Sequence, residues 1–97
     1  MPTLVFTPAA QGEVVEALDW YEQQSPGLGE SLIVELNRIA GRIVASPLHF
    51  PMVHKDVRRA LLRRYPYAIF FRVAEDEIQV IACFNTRRDP THWRERI

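Results

Sequence analysis

The sequence contains one cysteine, one lysine, four glycines and no surplus of either charge. Each scarcity excludes something. Cys83 has no second cysteine to pair with, which removes the small disulfide-stapled scaffolds. The scattered glycines form neither a Rossmann nor a P-loop phosphate cradle. His49, His54 and His92 lack Cys or His companions at metal-ligand spacing, so neither a metal nor another cofactor is expected. Ser25, Ser31 and Ser46 fall at helix boundaries, where capping explains them better than nucleophilic attack. No uninterrupted apolar run approaches the ~18 residues that a bilayer span needs. Met1-Pro2-Thr3-Leu4 places no basic stretch ahead of an apolar one, so no secretory signal is read and a reducing cytoplasm is the expected location.

What is present describes one small domain, residues 1–97, with 47% hydrophobic residues and enough chain for a single core. The formal net charge of zero hides a division. Through Ser46 the chain carries six acidic and two basic residues; from Pro47 onward it carries ten basic and six acidic. Eleven of the twelve basic residues are arginine, the side chain suited to bidentate pairing with carboxylate or phosphate. The second half is thus either a solvated basic face or a surface for an acidic partner.

Leu4-Val5-Phe6 is long enough for one strand. Thr7-Pro8 then supplies a capping hydroxyl and a first-turn proline, which starts a helix from about Pro8 to Gln24. Val14, Leu18 and Tyr21 form its apolar stripe, widened by Val15 and Ala17, opposite Glu13, Glu16, Asp19 and Glu22. Ser25-Pro26-Gly27 breaks this helix. A second follows on Leu28, Leu32, Leu36, Ile39 and Ile43, with Ile33, Ala40 and Val44 beside them, and ends at Ser46-Pro47. The short connection predicts an antiparallel helix hairpin. Pro47 to Lys55 reads as loop. After it the period changes to two, and three segments, around 57–62, 67–73 and 78–84, read as an antiparallel meander. Residues 91–96 suit a last helical turn. The expected fold is therefore α+β in the order β-α-α-β-β-β. The helix hairpin packs on one face of a small antiparallel sheet, and a short C-terminal tail or helix follows.

That order leaves the second sheet face with only the tail to cover it. Phe70, Ile81 and Cys83 are expected there beside Arg72, as an apolar, arginine-edged surface for a partner. The alternative is that Trp93 folds back and fills it.

The chain resembles the ParE/RelE toxin superfamily of bacterial type II toxin–antitoxin modules, and most closely its ParE, or plasmid-stabilisation, branch. The resemblance is carried by Val5-Phe6-Thr7-Pro8-Ala9-Ala10, Ala17-Leu18-Asp19-Trp20-Tyr21, Ser46-Pro47 and Arg58-Arg59 with Leu61. It continues through Arg64-Tyr65-Pro66-Tyr67-Ala68-Ile69-Phe70-Phe71-Arg72-Val73 to Ile81-Ala82-Cys83-Phe84-Asn85-Thr86-Arg87-Arg88-Asp89-Pro90 with Trp93. It implies a toxin neutralised by a ParD-like antitoxin. The antitoxin's tail would wrap the toxin and fill the groove between sheet and helices, with contact at Arg58, Phe70, Arg72, Ile81 and Cys83. Any contact with DNA would be indirect, through the antitoxin.

Two toxic activities follow from the resemblance. ParE-like members poison DNA gyrase, and here Arg87, Arg88, Trp93, Arg94 and Arg96 are the candidates for target contact. Arg87 and Arg88 have the plainer alternative of pairing with Asp89 and Glu95, and Trp93 that of core packing. RelE-like members cut messenger RNA on the ribosome; in that reading Arg63, Arg64, Tyr67 and Arg87 lie in or near the site. Ala68 stands where the nuclease pattern has an arginine, and Asn85 where many relatives have histidine. Neither replacement can transfer a proton. Gyrase inhibition without intrinsic catalysis is therefore the expected activity, with the nuclease and a non-toxic binding protein as alternatives.

Overall fold

The structure, a computed structural model, describes residues 2–97. In chain order it contains β1 (Thr3–Phe6), α1 (Pro8–Gln24), α2 (Leu28–Ala45) and a 3-10 turn at Pro47–His49. Then come β2 (Met52–His54), β3 (Val57–Leu61), β4 (Tyr67–Val73), β5 (Glu77–Asn85) and α3 (Thr91–Arg94). The expected α+β order holds, with one short strand, β2, inside the segment read as loop. The described residues form a five-stranded sheet in the order β1-β5-β4-β3-β2. Strands β2 to β5 are antiparallel, whereas β1 runs parallel to β5, with Thr3 opposite Glu77 and Phe6 opposite Val80.

Local chemistry accounts for the helix hairpin. The Thr7 hydroxyl accepts from the Ala10 N–H at 3.2 Å, and Pro8 opens α1 where an N–H would have had no partner. Between the helices, Gly27 sits at φ 93°, a left-handed conformation that a side chain would strain. The Glu22 carboxylate accepts from the N–H groups of Gly27 (3.2 Å) and Gly29 (3.0 Å), closing the turn. At Gly29 the helices are so close that a Cβ would lie 3.2 Å from the Leu18 carbonyl oxygen. Further on, Glu35 of α2 binds the Arg38 guanidinium at 2.7 Å and accepts from the Arg63 backbone N–H, tying α2 to the β3–β4 turn.

The helix-side core joins Ala10, Ala17, Leu32, Ile39 and Ile43 to Ile69, Phe71, Ile78 and Val80 of the sheet. Within β5 the alternation is interrupted. Phe71 lies opposite Val80 but Phe70 lies opposite Ala82, so Ile81 is an extra residue, a β-bulge. Because the side-chain period is two, one extra residue reverses the facing of everything after it. Ile81, Ala82 and Phe84 consequently pack on the outer face, and Cys83 returns to the helix-side core. The expectation that Cys83 shares the outer face with Phe70 and Ile81 is corrected on this point.

The outer face is also not left open. Trp93, on α3, is 2% exposed and stacks on Phe70 with ring centroids 4.2 Å apart and planes 24° from parallel. Phe70 and Ile81 are 5% and 6% exposed, and Ile97 packs against the same cluster. The expected vacant flank is therefore filled by the chain's own ending. The physical reason is the bulge, which turns Ile81, Ala82 and Phe84 to one side and makes that face apolar enough to hold the tryptophan. Asp89 begins the last helix by accepting from the Thr91 N–H (3.0 Å) and hydroxyl (2.6 Å). Arg96 ends it as a clip. Its guanidinium binds both Glu13 carboxylate oxygens, at 3.0 and 2.8 Å, and the Ile81 carbonyl at 2.9 Å.

The clip lies where β5 has outrun β1, whose pairing stops at Val80. Beyond that point the Ile81 carbonyl is served by Arg96 and the Cys83 N–H by Glu13 at 3.1 Å, so two side chains that bind each other stand in for the missing strand. Trp93→Ala should remove the stacked ring and destabilise the fold by about 3–5 kcal/mol in urea unfolding; a loss within a few tenths of a kcal/mol would contradict this packing. Glu35 supplies a pH signature. The Arg38 guanidinium holds its carboxyl down from an ordinary 4.5 to about 2. A group lowered in the folded state adds stability above its unfolded value and loses it as pH falls toward the folded one. Stability should therefore fall between about pH 4.5 and 2, and Glu35→Gln should flatten that part of the curve measured by thermal melting.

Candidate functional site

A cleft of about 410 Å³ lies between α1 and the ends of β4 and β5. Glu16, Trp20 and Tyr21 come from one helix face, Tyr67 from the start of β4, and Arg87 and Arg88 from the loop after β5. The Tyr21 ring meets Tyr65 edge-on at 5.0 Å and Tyr67 at 6.1 Å. Burial raises the Tyr67 hydroxyl above its ordinary value, with Cys83 adding to the rise and a hydrogen bond from Asn85 opposing it. Burial likewise raises Tyr21, reinforced by Tyr67 and Tyr65 and opposed by Arg87. Both groups therefore stay neutral phenols near pH 7 and serve as donors rather than bases. Asn85 pairs with Tyr67 across the sheet, and its Oδ1 accepts from the Arg87 N–H at 2.9 Å. That leaves the Asn85 amide nitrogen for the tyrosine oxygen. One wall of the cleft is thus acidic, the other basic, and the floor aromatic.

Of the residues named for a nuclease, the structure brings only Tyr67 and Arg87 into this cleft. Arg63 and Arg64 lie in the exposed β3–β4 turn, where Arg64 adopts φ 69° and the Arg63 N–H is anchored to Glu35. Those named for antitoxin contact are dispersed. Arg58 donates to the Phe50 carbonyl at 2.7 Å and holds the loop ahead of β2; Arg72 pairs with Asp56 at 2.8 Å; Phe70, Ile81 and Cys83 are buried. Among those named for the target, Arg96 clips to Glu13 and Trp93 is core, whereas Arg87, Arg88 and Arg94 are exposed. Neither Arg87 nor Arg88 forms an ion pair with Asp89 or Glu95 among the described residues.

An open apolar surface runs along the helix hairpin. Leu4 and Phe6 of β1, Val14 and Leu18 of α1, and Ile33 and Leu36 of α2 line a groove of about 320 Å³. Around the hairpin, Val15, Trp20 and Val34 are 55%, 53% and 66% exposed. Ile33 and Val15 were expected to widen the core stripes, but 45% of Ile33 and more of Val15 faces solvent. Periodicity places a residue on a stripe; it does not tell how wide a stripe the sheet covers. Nor does sequence show that Glu13 reaches the C-terminal clip, 83 positions away, since it reads as one carboxylate of a polar helix face.

Among the described residues no His/Cys/Asp/Glu group is arranged to hold a metal ion, and no helix is long and apolar enough to cross a membrane. The family model described as the ParE toxin of the type II toxin–antitoxin system parDE matches residues 4–90. Among curated proteins, none matches the chain. Among solved structures, a chain of the chromosomal ParDE TA system from P. aeruginosa is similar, with TM-score 0.77 and 21% identity, over 88% of this chain and 96% of that one. That likeness concerns the fold.

Cys83 offers a direct check on the cleft's inner wall. Burial, helped by the Glu13 charge, pushes its thiol up to about 12. A thiol this far from ionisation is a poor nucleophile. Iodoacetamide at pH 8 should leave Cys83 unmodified in the native protein and label it in denaturant; rapid native labelling by mass spectrometry would show that the wall opens.

Proposed function

This chain belongs to the ParE toxin family of type II toxin–antitoxin systems, and on that premise we propose that it inhibits DNA gyrase and is neutralised by a ParD-like antitoxin. The observation that carries the inhibitory, non-nuclease reading is the chemistry of the cleft. Its two tyrosines are raised phenols, its amide at Asn85 cannot titrate, and Arg63 and Arg64 lie outside it. RNA cleavage needs a base for the 2′-hydroxyl and an acid for the leaving oxygen. Of the residues named for a nuclease, Tyr67 and Arg87 supply a donor and a charge but no base; the cleft carboxylates Glu13 and Glu16 are not among them, and Glu13 is held by Arg96. Arg87, Arg88 and Arg94 project from the C-terminal part as the residues available to an acidic target.

The antitoxin reading moves to a different surface from the one expected. With Phe70 and Ile81 covered by Trp93, the groove of β1, α1 and α2, with the exposed residues around it, offers apolar area to another polypeptide. A disordered antitoxin tail that folds on binding would lay apolar side chains in that groove. Charge reversal at Arg58 and Arg72 is a poor test of it, because both guanidinium groups hold this chain's own loops.

Expression of the chain without an antitoxin should produce filamentation with DNA-damage signalling. Rapid translation arrest with cleaved messages would establish the nuclease instead, and unimpaired growth a binding protein without toxicity. Ile33→Asp, at the groove's rim, should weaken binding of a ParD-like antitoxin about tenfold or more by calorimetry while the melting temperature holds. Unchanged affinity would remove the groove from the interface.

A further inference from the structure

A second, smaller cavity lies on the opposite side of the sheet, beside Trp93. It measures about 200 Å³, and three of its lining residues are Arg59, Arg88 and Arg94, with no aspartate or glutamate among them. Arg59 stands on β3 opposite Phe70, and its Nε is buried with no hydrogen-bond partner among the described residues. The Arg88 guanidinium lies over Phe84 with its carbon 5.8 Å from the ring centroid, and that of Arg94 lies 5.5 Å from the Trp93 ring centroid. The ion pairs among the described residues are Glu35–Arg38, Asp56–Arg72 and Glu13–Arg96, so none of these three arginines is neutralised within the chain. Three cations line one small cavity, and one of them holds a dry, unused donor.

We propose that this cavity binds a phosphate monoester, the terminal phosphate of a nucleic acid or the free anion. Size and charge select the ligand. A carboxylate would offset one of three positive charges, whereas a phosphate monoester carries about −1.5 to −2 near neutral pH and offers three acceptor oxygens to forked guanidinium donors. Stacking of a base is disfavoured by what already covers the rings. Phe70 has Trp93 against one face, and Arg88 and Arg94 lie over Phe84 and Trp93. The other polar groups are engaged: the Thr86 hydroxyl donates to the Pro66 carbonyl, and the Asn85 Oδ1 accepts from Arg87. The arginines alone remain to recognise the ligand, and no general base stands among them. The site binds and does not cleave, and it depends on neither the gyrase nor the antitoxin assignment.

Calorimetry on the full chain at low salt tests this with three probes: inorganic phosphate, a 5′-phosphorylated dinucleotide and the same dinucleotide without its phosphate. The two phosphate-bearing probes should bind with a stoichiometry of one, and the third should not. Tighter binding of the phosphorylated dinucleotide assigns the site to a nucleic-acid end, and tighter binding of inorganic phosphate to the free anion. Arg59→Gln should weaken binding about tenfold or more with no loss of melting temperature, since its buried Nε has no partner to lose. Arg94→Gln, at an exposed position, should weaken it in the same direction, and Arg42→Gln, on α2, should leave it unchanged. The proposal is overturned by absence of phosphate binding in the millimolar range, by equal binding of the unphosphorylated dinucleotide, or by wild-type affinity in both Arg59→Gln and Arg94→Gln.

Discussion

Everything on the outer side of this sheet depends on one contact, the Trp93 ring laid on Phe70 and held there by the Arg96–Glu13 clip. A four-stranded meander with one added edge strand has two faces, and the helix hairpin covers one. Without the tryptophan, Phe70, Ile81, Ala82 and Phe84 would face water together. The clip supplies what packing alone does not, a fixed direction for the tail. Arg96 binds Glu13 on α1 and the Ile81 carbonyl on β5 at once, so the last turn is referenced to both layers of the domain.

That closure decides which surfaces are left for function. The aromatic cleft between α1 and β5, the apolar groove of the hairpin and the arginine cavity beside Trp93 lie around the closed face rather than on it. Tying the C-terminus to α1 also joins the cleft to the clip, because Glu13 and Cys83 line the cleft while the Glu13 carboxylate binds Arg96. A ligand that drew Glu13 away would loosen the tail, and a loosened tail would change the cleft.

Much of the architecture was legible in the sequence. Thr7-Pro8 marks the start of α1 to the residue, Pro26-Gly27 marks the turn of the hairpin and Ser46-Pro47 its end, because caps and prolines act locally. The family resemblance likewise survives, since it rests on the order of short motifs along nearly the whole chain. What escaped reading depends on pairing. The parallel β1–β5 contact is made by strands 71 or more positions apart, and nothing local specifies its direction. The Ile81 bulge is invisible in an uninterrupted apolar run from Val80 to Phe84, where every residue suits either face. One inserted residue there moved Cys83 to the core and Phe84 outward, and with them the surface expected for a partner.

The central claim is that the free chain closes its own outer face, and the fluorescence of Trp93 tests it most directly. In a Trp20→Phe background Trp93 is the remaining tryptophan. The account predicts blue-shifted emission that acrylamide quenches weakly in the native protein and strongly after denaturation. Native emission already red-shifted and freely quenched would mean that the tail hangs in solvent and the face stands open.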